Sequence, residues 1–247
     1  MRVVSWKMNR NTMIETRAVY IAGVAVKFVQ CPGGSFEMGS NNGLPLEQPI
    51  RRVTIDLPFW ISTTLVTQEL WGNVMSENPS TFINSGALPV DGISYDGAIE
   101  FCSSATAKSG HRLVLPTEAQ WEYACRAGTT TEYFWGSSES DAREFGWFDM
   151  NARDTTHEIA SLAANPWGLF DIVGNLWEWC DDVWHSDYND APETDEPWYT
   201  NADRQPRRCL RGGAWDMDVF RLRSAYRSYD HRDLGTSRFG MRIVIAS

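Results

Sequence analysis

The chain of 247 residues is 43% hydrophobic and 22% charged, a composition typical of globular proteins, which at this length bury roughly 70% of their unfolded surface. Its formal net charge of −10 excludes a nucleic-acid backbone as the main ligand, because phosphate binding needs clustered Lys and Arg. Twelve tryptophans and nineteen glycines indicate loops packed on aromatic side chains rather than long helices.

The first predicted element is a strand within the apolar run Ala18 to Val29. Gly23 and Lys27 interrupt this run, and it is too short to cross a bilayer. No small-residue cleavage site of a signal peptide follows it. We therefore expect a cytoplasmic protein without a membrane span.

Three helices are predicted from capping residues and apolar spacing. The first follows Thr67 as its N-cap, and the second runs from Ser94 to Gly110. The third begins at Thr117, where Gln120 completes a capping box. For the second helix we expect a buried apolar stripe formed by Ala98, Ile99, Phe101 and Cys102.

Short strands are predicted in the rest of the chain, in the segments 51–62, 112–115, 208–215 and 241–246. The last of them is placed where it could pair with the first strand. A few short strands, two or three helices and much irregular chain predict an α+β fold. No linker or internal repeat divides the sequence, so we expect one domain spanning residues 1–247.

Eight carboxylates are concentrated between Asp181 and Asp203. Pro and Asn are interleaved with them, which favours a solvated loop over a cation site, although both interpretations stay open. Just before this stretch, Gly174 and Asn175 are expected to take the positive φ angles of a tight turn. The adjacent glycines of RGGAW are expected to let the backbone pass close to a packed aromatic side chain such as Trp215.

Six sequence blocks lie in a recognisable order between Phe28 and Ser247: CPGGSFEMGS, TQELW, LPVDGISYDGAIEFC, RLVLPTEAQWEYACRAG, NPWGLFDIVGNLWEWCDD, and RCLRGGAWDMD with RSAYR and GMRIV. Together they resemble the formylglycine-generating enzyme (sulfatase-modifying factor) family. The resemblance implies a C-type-lectin-like fold over nearly the whole chain.

The resemblance also implies a calcium site in the turn. Family members bind the ion with an acidic or amide side chain, two backbone carbonyls and a glutamate, and oxygen ligands suit Ca²⁺. The alternative is that the two carboxylates only accept hydrogen bonds within the turn. The corresponding positions of this chain are Asp171, Gly174, Leu176 and Glu178.

The oxidase chemistry of the family requires two copper-binding cysteines just after the R-G-G motif. The segment Gly212 to Ser247 contains no cysteine, and the thioether of Met217 is a poor substitute. We interpret Cys180 and Cys209 as small buried hydrophobes. A second enzymatic branch holds iron with histidines, but the four histidines here are scattered without an H-x-x-x-H pattern. We therefore expect neither copper nor iron.

A non-enzymatic use of the same fold fits better. The segment 211–242 resembles the variable region of the variable proteins of diversity-generating retroelements, in which mutagenesis directed at adenines rewrites codons. Asn codons changed only at adenines never encode Lys, Glu, Gln, Met or Trp. Those five types make up 43 of the 247 residues, whereas Asp216 to Arg238 contains one of them, Met217.

The sequence thus predicts a non-catalytic protein that displays a diversified C-terminal surface to a protein or other macromolecular ligand. The alternatives are an enzyme of the formylglycine-generating or sulfoxide-synthase type and an unassigned inactive member. We expect structural roles for Arg211, Gly212, Gly213, Arg227 and Arg242. The predicted ligand-binding residues, called the display set below, are Trp215, Asp216, Asp218, Phe220, Arg221, Tyr226, Ser228, Tyr229, Asp230 and His231.

Overall fold

The structure is a computed structural model that describes residues 14–200 and 206–246. The predicted acidic stretch therefore extends beyond the described residues at Asp203. Within the described ranges the chain forms three α-helices and eleven strands. The helices are α1 (Gln68–Met75), α2 (Tyr95–Ser109) and α3 (Glu118–Arg126).

Each helix begins at the residue that the sequence predicts. The side-chain oxygens of Thr67, Ser94 and Thr117 accept hydrogen bonds from main-chain N–H groups at 3.1 to 3.2 Å. These bonds satisfy N–H groups that have no partner within the helix. Gln120 completes the capping box of α3, and Gly110 ends α2 in the left-handed conformation.

The strands form sheets of five, four and two strands. The five-stranded sheet has the order β1-β2-β5-β11-β6, the four-stranded sheet the order β10-β7-β8-β9, and β3 pairs with β4. The strands are β1 (Thr16–Ile21), β2 (Val24–Cys31), β3 (Gly34–Met38), β4 (Arg51–Ile55), β5 (Phe59–Ser62), β6 (Leu113–Val114), β7 (Trp177–Val183), β8 (Arg207–Arg211), β9 (Arg227–His231), β10 (Phe239–Gly240) and β11 (Val244–Ile245).

The predicted pairing of the first and last strands is wrong. Strand β5 lies between β2 and β11, so the two segments share a sheet without touching as neighbours. Val29 of β2 and Val244 of β11 both pair with Ile61 of β5, from opposite sides. Pairing is decided by which hydrophobic face each strand buries, and single-strand patterns do not contain that information.

Two apolar clusters are built from alternate residues of the same strands. Phe28 belongs to one cluster and its neighbour Val29 to the other, and Trp179 and Cys180 divide in the same way. Helices α1 and α2 cover the cluster of Phe28, and α3 covers the cluster of Val29. Successive side chains of a strand point to opposite faces, so the five-stranded and four-stranded sheets each contribute to both clusters.

Two further expectations are corrected. Ile99 is 39% exposed, because it lies about 100° around α2 from Ala98, which is fully buried. The acidic stretch does not begin as a solvated loop. Asp181 and Asp182 lie on β7, and Asp182 is buried. The Gly174–Asn175 turn precedes β7 with the expected positive φ angles of 72° and 62°.

None of the helices in the described ranges combines the length and the apolar character that crossing a bilayer requires.

Candidate ligand-binding surface

The C-terminal segment is held to the rest of the fold by buried arginines. Arg227 binds both oxygens of Glu118 with two parallel hydrogen bonds, at 2.7 and 2.8 Å. Arg211 forms an ion pair with Glu122 and lies 3.6 Å from Glu118. Arg211, Arg227 and both glutamates are at most 3% exposed. Such pairs fix geometry strongly because a planar guanidinium matches a carboxylate at two points.

Two more arginines extend this pattern. Arg223 binds Glu47 at 2.8 and 2.6 Å, and Arg242 binds Glu178 with two bonds of 2.7 Å. The four arginines are called the anchor arginines below. They are Arg211, Arg223, Arg227 and Arg242.

The charge state of this buried network is set by its composition. Burial opposes the charge of Glu118, but Arg227 and Arg211 outweigh it and lower its pKa to about 2. Burial, together with the nearby charge of Glu118, raises the pKa of Asp182 to about 7. Asp182 accepts main-chain hydrogen bonds from Glu118 at 2.7 Å and from Trp198 at 3.0 Å. The pKa values of these two neighbouring carboxyls are therefore shifted in opposite directions.

The glycines of RGGAW have the expected structural role, although the aromatic partner differs from the prediction. Gly212 has a φ of 97°, and a Cβ there would lie 3.1 Å from the Trp121 ring rather than against Trp215. Gly213 has a φ of 80°, and its Cβ would lie 2.7 Å from Leu222. Side chains are excluded at both positions by backbone conformation and by space.

Every member of the display set is half-buried or exposed. Phe220 and Tyr229 are each 38% exposed, whereas Arg227, which lies between display residues in sequence, is 1% exposed. Buried anchors and accessible side chains thus alternate along one segment. The binding role of the display set stays a prediction.

The display set does not lie on one face of the sheet. Strand β9 pairs with β8 in regular antiparallel register, so its side chains alternate. Ser228 and Asp230 lie on the face of Leu210, and Leu210 belongs to the apolar cluster of Trp177. Tyr229 lies on the opposite face, with its ring centroid 4.4 Å from that of Trp184. His231 shares this opposite face.

Aromatic side chains gather around Trp177. The Tyr226 ring lies 5.8 Å from Trp177 and 5.8 Å from Phe220, and Arg223 lies 4.0 Å over the Phe220 ring. Trp177 was not identified from the sequence as part of this site; it is buried and lies beneath these side chains. The pairing of β7 with β8 and β10 brings it here, and no local pattern encodes that pairing.

The beginning of the display set is held by contacts from distant loops. The Trp215 indole donates a hydrogen bond to the Ser237 carbonyl at 3.0 Å and makes an edge contact with Phe82. Asp216 accepts a hydrogen bond from Arg238 at 2.6 Å. Phe82 and Arg238 are further lining residues that the sequence interpretation missed.

The remaining charged members form exposed pairs. Arg221 and Asp218 are 2.6 Å apart across the short 3-10 helix Val219–Leu222, and His231 pairs with Asp233. Exposed pairs of this kind contribute little to stability. These side chains are therefore available for contacts with another molecule.

The predicted calcium turn contains two buried carboxylates, Asp171 and Glu178. Asp171 is buried and accepts hydrogen bonds from Ala160 and Asn175 at 2.8 and 3.4 Å, with no ion pair in the described part of the chain. Glu178 already binds Arg242 and the Trp121 indole, but a carboxylate offers about four acceptor sites. A cation would balance the charge of Asp171. The site stays a prediction, with Gly174 and Leu176 as its carbonyl donors.

All five cysteines are buried and none forms a disulfide. Burial raises the pKa of Cys180 and of Cys209 well above the ordinary thiol value. Neutral buried thiols are poor nucleophiles and poor metal ligands. In the described ranges, no cluster of three or more His, Cys, Asp or Glu side chains is arranged to hold a metal ion.

Comparison with known proteins identifies the family of the chain. The protein-family model described as "Sulfatase-modifying factor enzyme 1-like domain" matches residues 22–247. The chain is 26% identical to the formylglycine-generating enzyme of Mycobacterium tuberculosis, over 88% of this chain and 97% of that protein. It is 27% identical to the chaperone protein LppX of Paenibacillus barcinonensis, over 90% of each protein.

A solved structure shows the same architecture. Treponema denticola variable protein 1 superposes with a TM-score of 0.84 and 24% identity, covering 94% of this chain and 99% of that one. At this identity the match shows the fold alone. The fold is α+β and C-type-lectin-like, as the sequence resemblance predicted.

Proposed function

The chain belongs to the sulfatase-modifying factor enzyme 1-like family, and we propose that it is a non-catalytic member that binds a protein or other macromolecular ligand through its C-terminal surface. The observation that carries the proposal is the alternation within segment 211–242. Four arginines are at most 1% exposed and ion-paired, while the display set between them remains accessible. In such a segment the accessible side chains can be replaced without a change in the path of the backbone.

The chemistry of the display set supports binding. Rigid aromatic rings such as Tyr226, Phe220 and Tyr229 supply contact area at low entropic cost, and short polar residues such as Ser228 and Asp230 adapt to a partner. The structural neighbour from Treponema denticola is a variable protein, and segment 211–242 resembles the variable regions of retroelement-diversified proteins. Both likenesses favour a displayed surface.

The enzymatic alternative is less well supported. An oxidase of the family type needs a thiolate pair after the R-G-G motif, and no cysteine follows Gly212 in this sequence. Cys180 and Cys209 lie on the side of the sheet that faces the buried cluster with Glu118. If copper-loaded protein oxidised the cysteine of a sulfatase-like peptide, and Cys180→Ser or Cys209→Ser abolished this, the alternative would replace our proposal.

The proposal extends to calcium and to location. We propose that the turn with Asp171 and Glu178 binds calcium as a structural ion, which would serve as a counter-ion for the carboxylate of Asp171. A cytoplasmic location remains our expectation, since free buried thiols suit a reducing compartment.

The decisive experiment compares two displayed libraries. One randomises the ten display positions and the other randomises the four anchor arginines. Most members of the first should remain resistant to protease, and selection on an unrelated protein such as lysozyme should yield binders. Few members of the second should survive protease treatment. Equal loss of folded clones in both libraries would contradict the proposal.

The neighbouring DNA provides an independent test. A reverse transcriptase gene beside a near-copy of the 3′ segment, differing only at adenines, would establish diversification. A genome that lacks both would return the chain to the unassigned inactive members of the family.

A further inference from the structure

The two-stranded sheet has one covered edge and one open edge. On the covered side, the N–H of Thr54 in β4 donates to the Glu193 carbonyl at 2.8 Å, and Thr54 also bridges Thr194. On the other side, β3 has no strand partner in the described part of the chain. Open edges expose main-chain groups that pair readily with another extended segment.

The register identifies the main-chain groups that face this open edge. Thr54 lies opposite Ser35 and directs its N–H away from β3. In an antiparallel ladder the opposite residue then also directs its N–H and C=O outward. The same applies two residues later, at Glu37. No hydrogen bond to these outward groups of Ser35 and Glu37 is formed by the described residues.

At Gly39, the next residue along this edge, both main-chain groups are hydrogen-bonded. The N–H of Gly39 donates to Glu122 at 3.0 Å, and the carbonyl of Gly39 accepts from Arg126 at 3.1 Å. Side chains of α3 therefore form with Gly39 the two hydrogen bonds that a neighbouring strand would form. The open edge therefore ends at Gly39. The outward main-chain groups of Ser35 and Glu37 remain available to another molecule.

A groove of about 680 Å³ runs along this edge. Its lining includes Ser35, Phe36 and Glu37 of β3 and Thr129 and Thr130 of the segment that follows α3. The volume falls in the range of about 300 to 1,000 Å³ that is typical of binding sites. It accommodates a short extended segment.

The side chains beside the edge define the chemistry of the ligand. Phe36 and Ile50 offer partly exposed apolar surface, whereas Glu37 and Glu132 offer carboxylates that outnumber Arg52. The other two lining cations, Arg126 and Arg223, are neutralised by glutamates. Because side chains alternate along a strand, apolar residues of an added strand face Phe36 and the residues between them face Glu37.

We propose that the open edge of β3 binds an extended peptide with alternating apolar and basic residues, which pairs with the main chain of Ser35 and Glu37. This mode of recognition draws affinity from main-chain hydrogen bonds and specificity from alternate side chains. The site is separate from the display set and goes beyond the proposed function. Its only residues from segment 211–242 are the buried Arg223 and Ala225.

The test uses a phage library of random heptapeptides selected on the whole protein, followed by affinity measurement of the selected peptides. Ser35→Pro removes the outward N–H without breaking a ladder bond, since proline is tolerated on edge strands in this orientation. Ser35→Ala is the matched control, because it removes only the hydroxyl that contacts Thr54. Ser35→Pro should weaken the selected peptides about ten-fold, and Ser35→Ala should leave them unchanged.

Additional variants make the result decisive. Thr130→Trp places a large side chain in the groove and should abolish binding. The proposal therefore remains testable if thermal melting shows that Ser35→Pro does not fold. Ser228→Ala on the display surface should leave peptide binding unchanged, which separates this site from the proposed function. The proposal is overturned if no alternating apolar and basic peptide is selected, or if the selected peptides bind Thr130→Trp as tightly as the wild type.

Discussion

The anchor arginines and the display set belong to the same short segment but differ in almost every physical respect. Arg227 is buried, binds Glu118 at two points and lies 4.0 Å over the Tyr188 ring. Arg221, only six positions earlier, pairs with Asp218, and both side chains are exposed to solvent. The comparison shows that residue type alone does not define a role, because the surroundings decide whether an arginine is buried in the fold or remains accessible to solvent.

The largest effect is expected from breaking an anchor. Arg227→Met leaves Glu118 buried without its main partner, which should cost about 3 to 5 kcal/mol of unfolding free energy. Arg221→Met is the matched control and should cost less than about 1 kcal/mol, because its ion pair is solvated. Urea denaturation measures both. Similar losses for the two variants would contradict the distinction between anchor and display residues.

Binding of calcium to the turn that precedes β7 should raise the unfolding free energy of the protein. If only the folded state binds the ion, a concentration of 100 times Kd raises the unfolding free energy by about 2.7 kcal/mol. Melting temperatures after chelator treatment, with and without added calcium, measure the effect. Asp171→Ala should remove the calcium response. No response in the wild type would leave Asp171 and Glu178 as turn residues only.

The pH dependence should reveal the two carboxyls beneath the anchors. The stabilisation from Glu118 is present above its unfolded pKa and is lost as pH falls towards about 2. Asp182 acts in the opposite sense. Its raised pKa means that stability present below pH 4 is lost as pH rises through about 7.

Asp182→Asn tests this assignment, because it removes the titration while keeping the size of the side chain. The loss of stability between pH 5 and 8 should become smaller by about 1 kcal/mol or more. Stability curves from urea denaturation at each pH provide the measurement. A variant with an unchanged pH profile would show that Asp182 does not titrate in this range.

The smallest effect on stability is expected from substitutions in the display set. These substitutions also distinguish the two faces on which the set lies. Ser228→Ala with Asp230→Ala changes one face of β9, and Tyr229→Ala with His231→Ala changes the other. Each pair should alter unfolding free energy by about 0.5 kcal/mol or less per residue. With a binder selected from the display library, loss of affinity in one pair identifies the face that the ligand contacts. A pair that lowers the melting temperature by many degrees would show its residues to be core.

Local features of the fold were predictable because they depend on neighbouring residues. Thr67, Ser94 and Thr117 cap their helices as expected, since capping needs only a short polar side chain and the next turn of backbone. The positive φ angles of Gly174 and Asn175 follow for the same reason. The order of motifs also identified the family and its C-type-lectin-like fold.

The candidate site was predictable only in part. The structural roles of Arg211, Arg227 and Arg242 were identified, but their partners Glu118, Glu122 and Glu178 lie between about 60 and 110 positions away in sequence. Arg223 was not identified as an anchor at all. Its neighbours in sequence gave no signal for its bond to Glu47, which lies 176 positions away.

The sequence by itself determined the helix starts, the tight turn, the absence of a cysteine pair after the R-G-G motif, and the segment in which anchors and display residues alternate. Only the tertiary structure decided that β5 separates the terminal strands, that β9 divides the display set between two faces, and that β3 has an open edge within the described part of the chain. The physical reason is that caps and turns are completed by nearby residues, whereas strand neighbours and faces depend on contacts between distant parts of the chain.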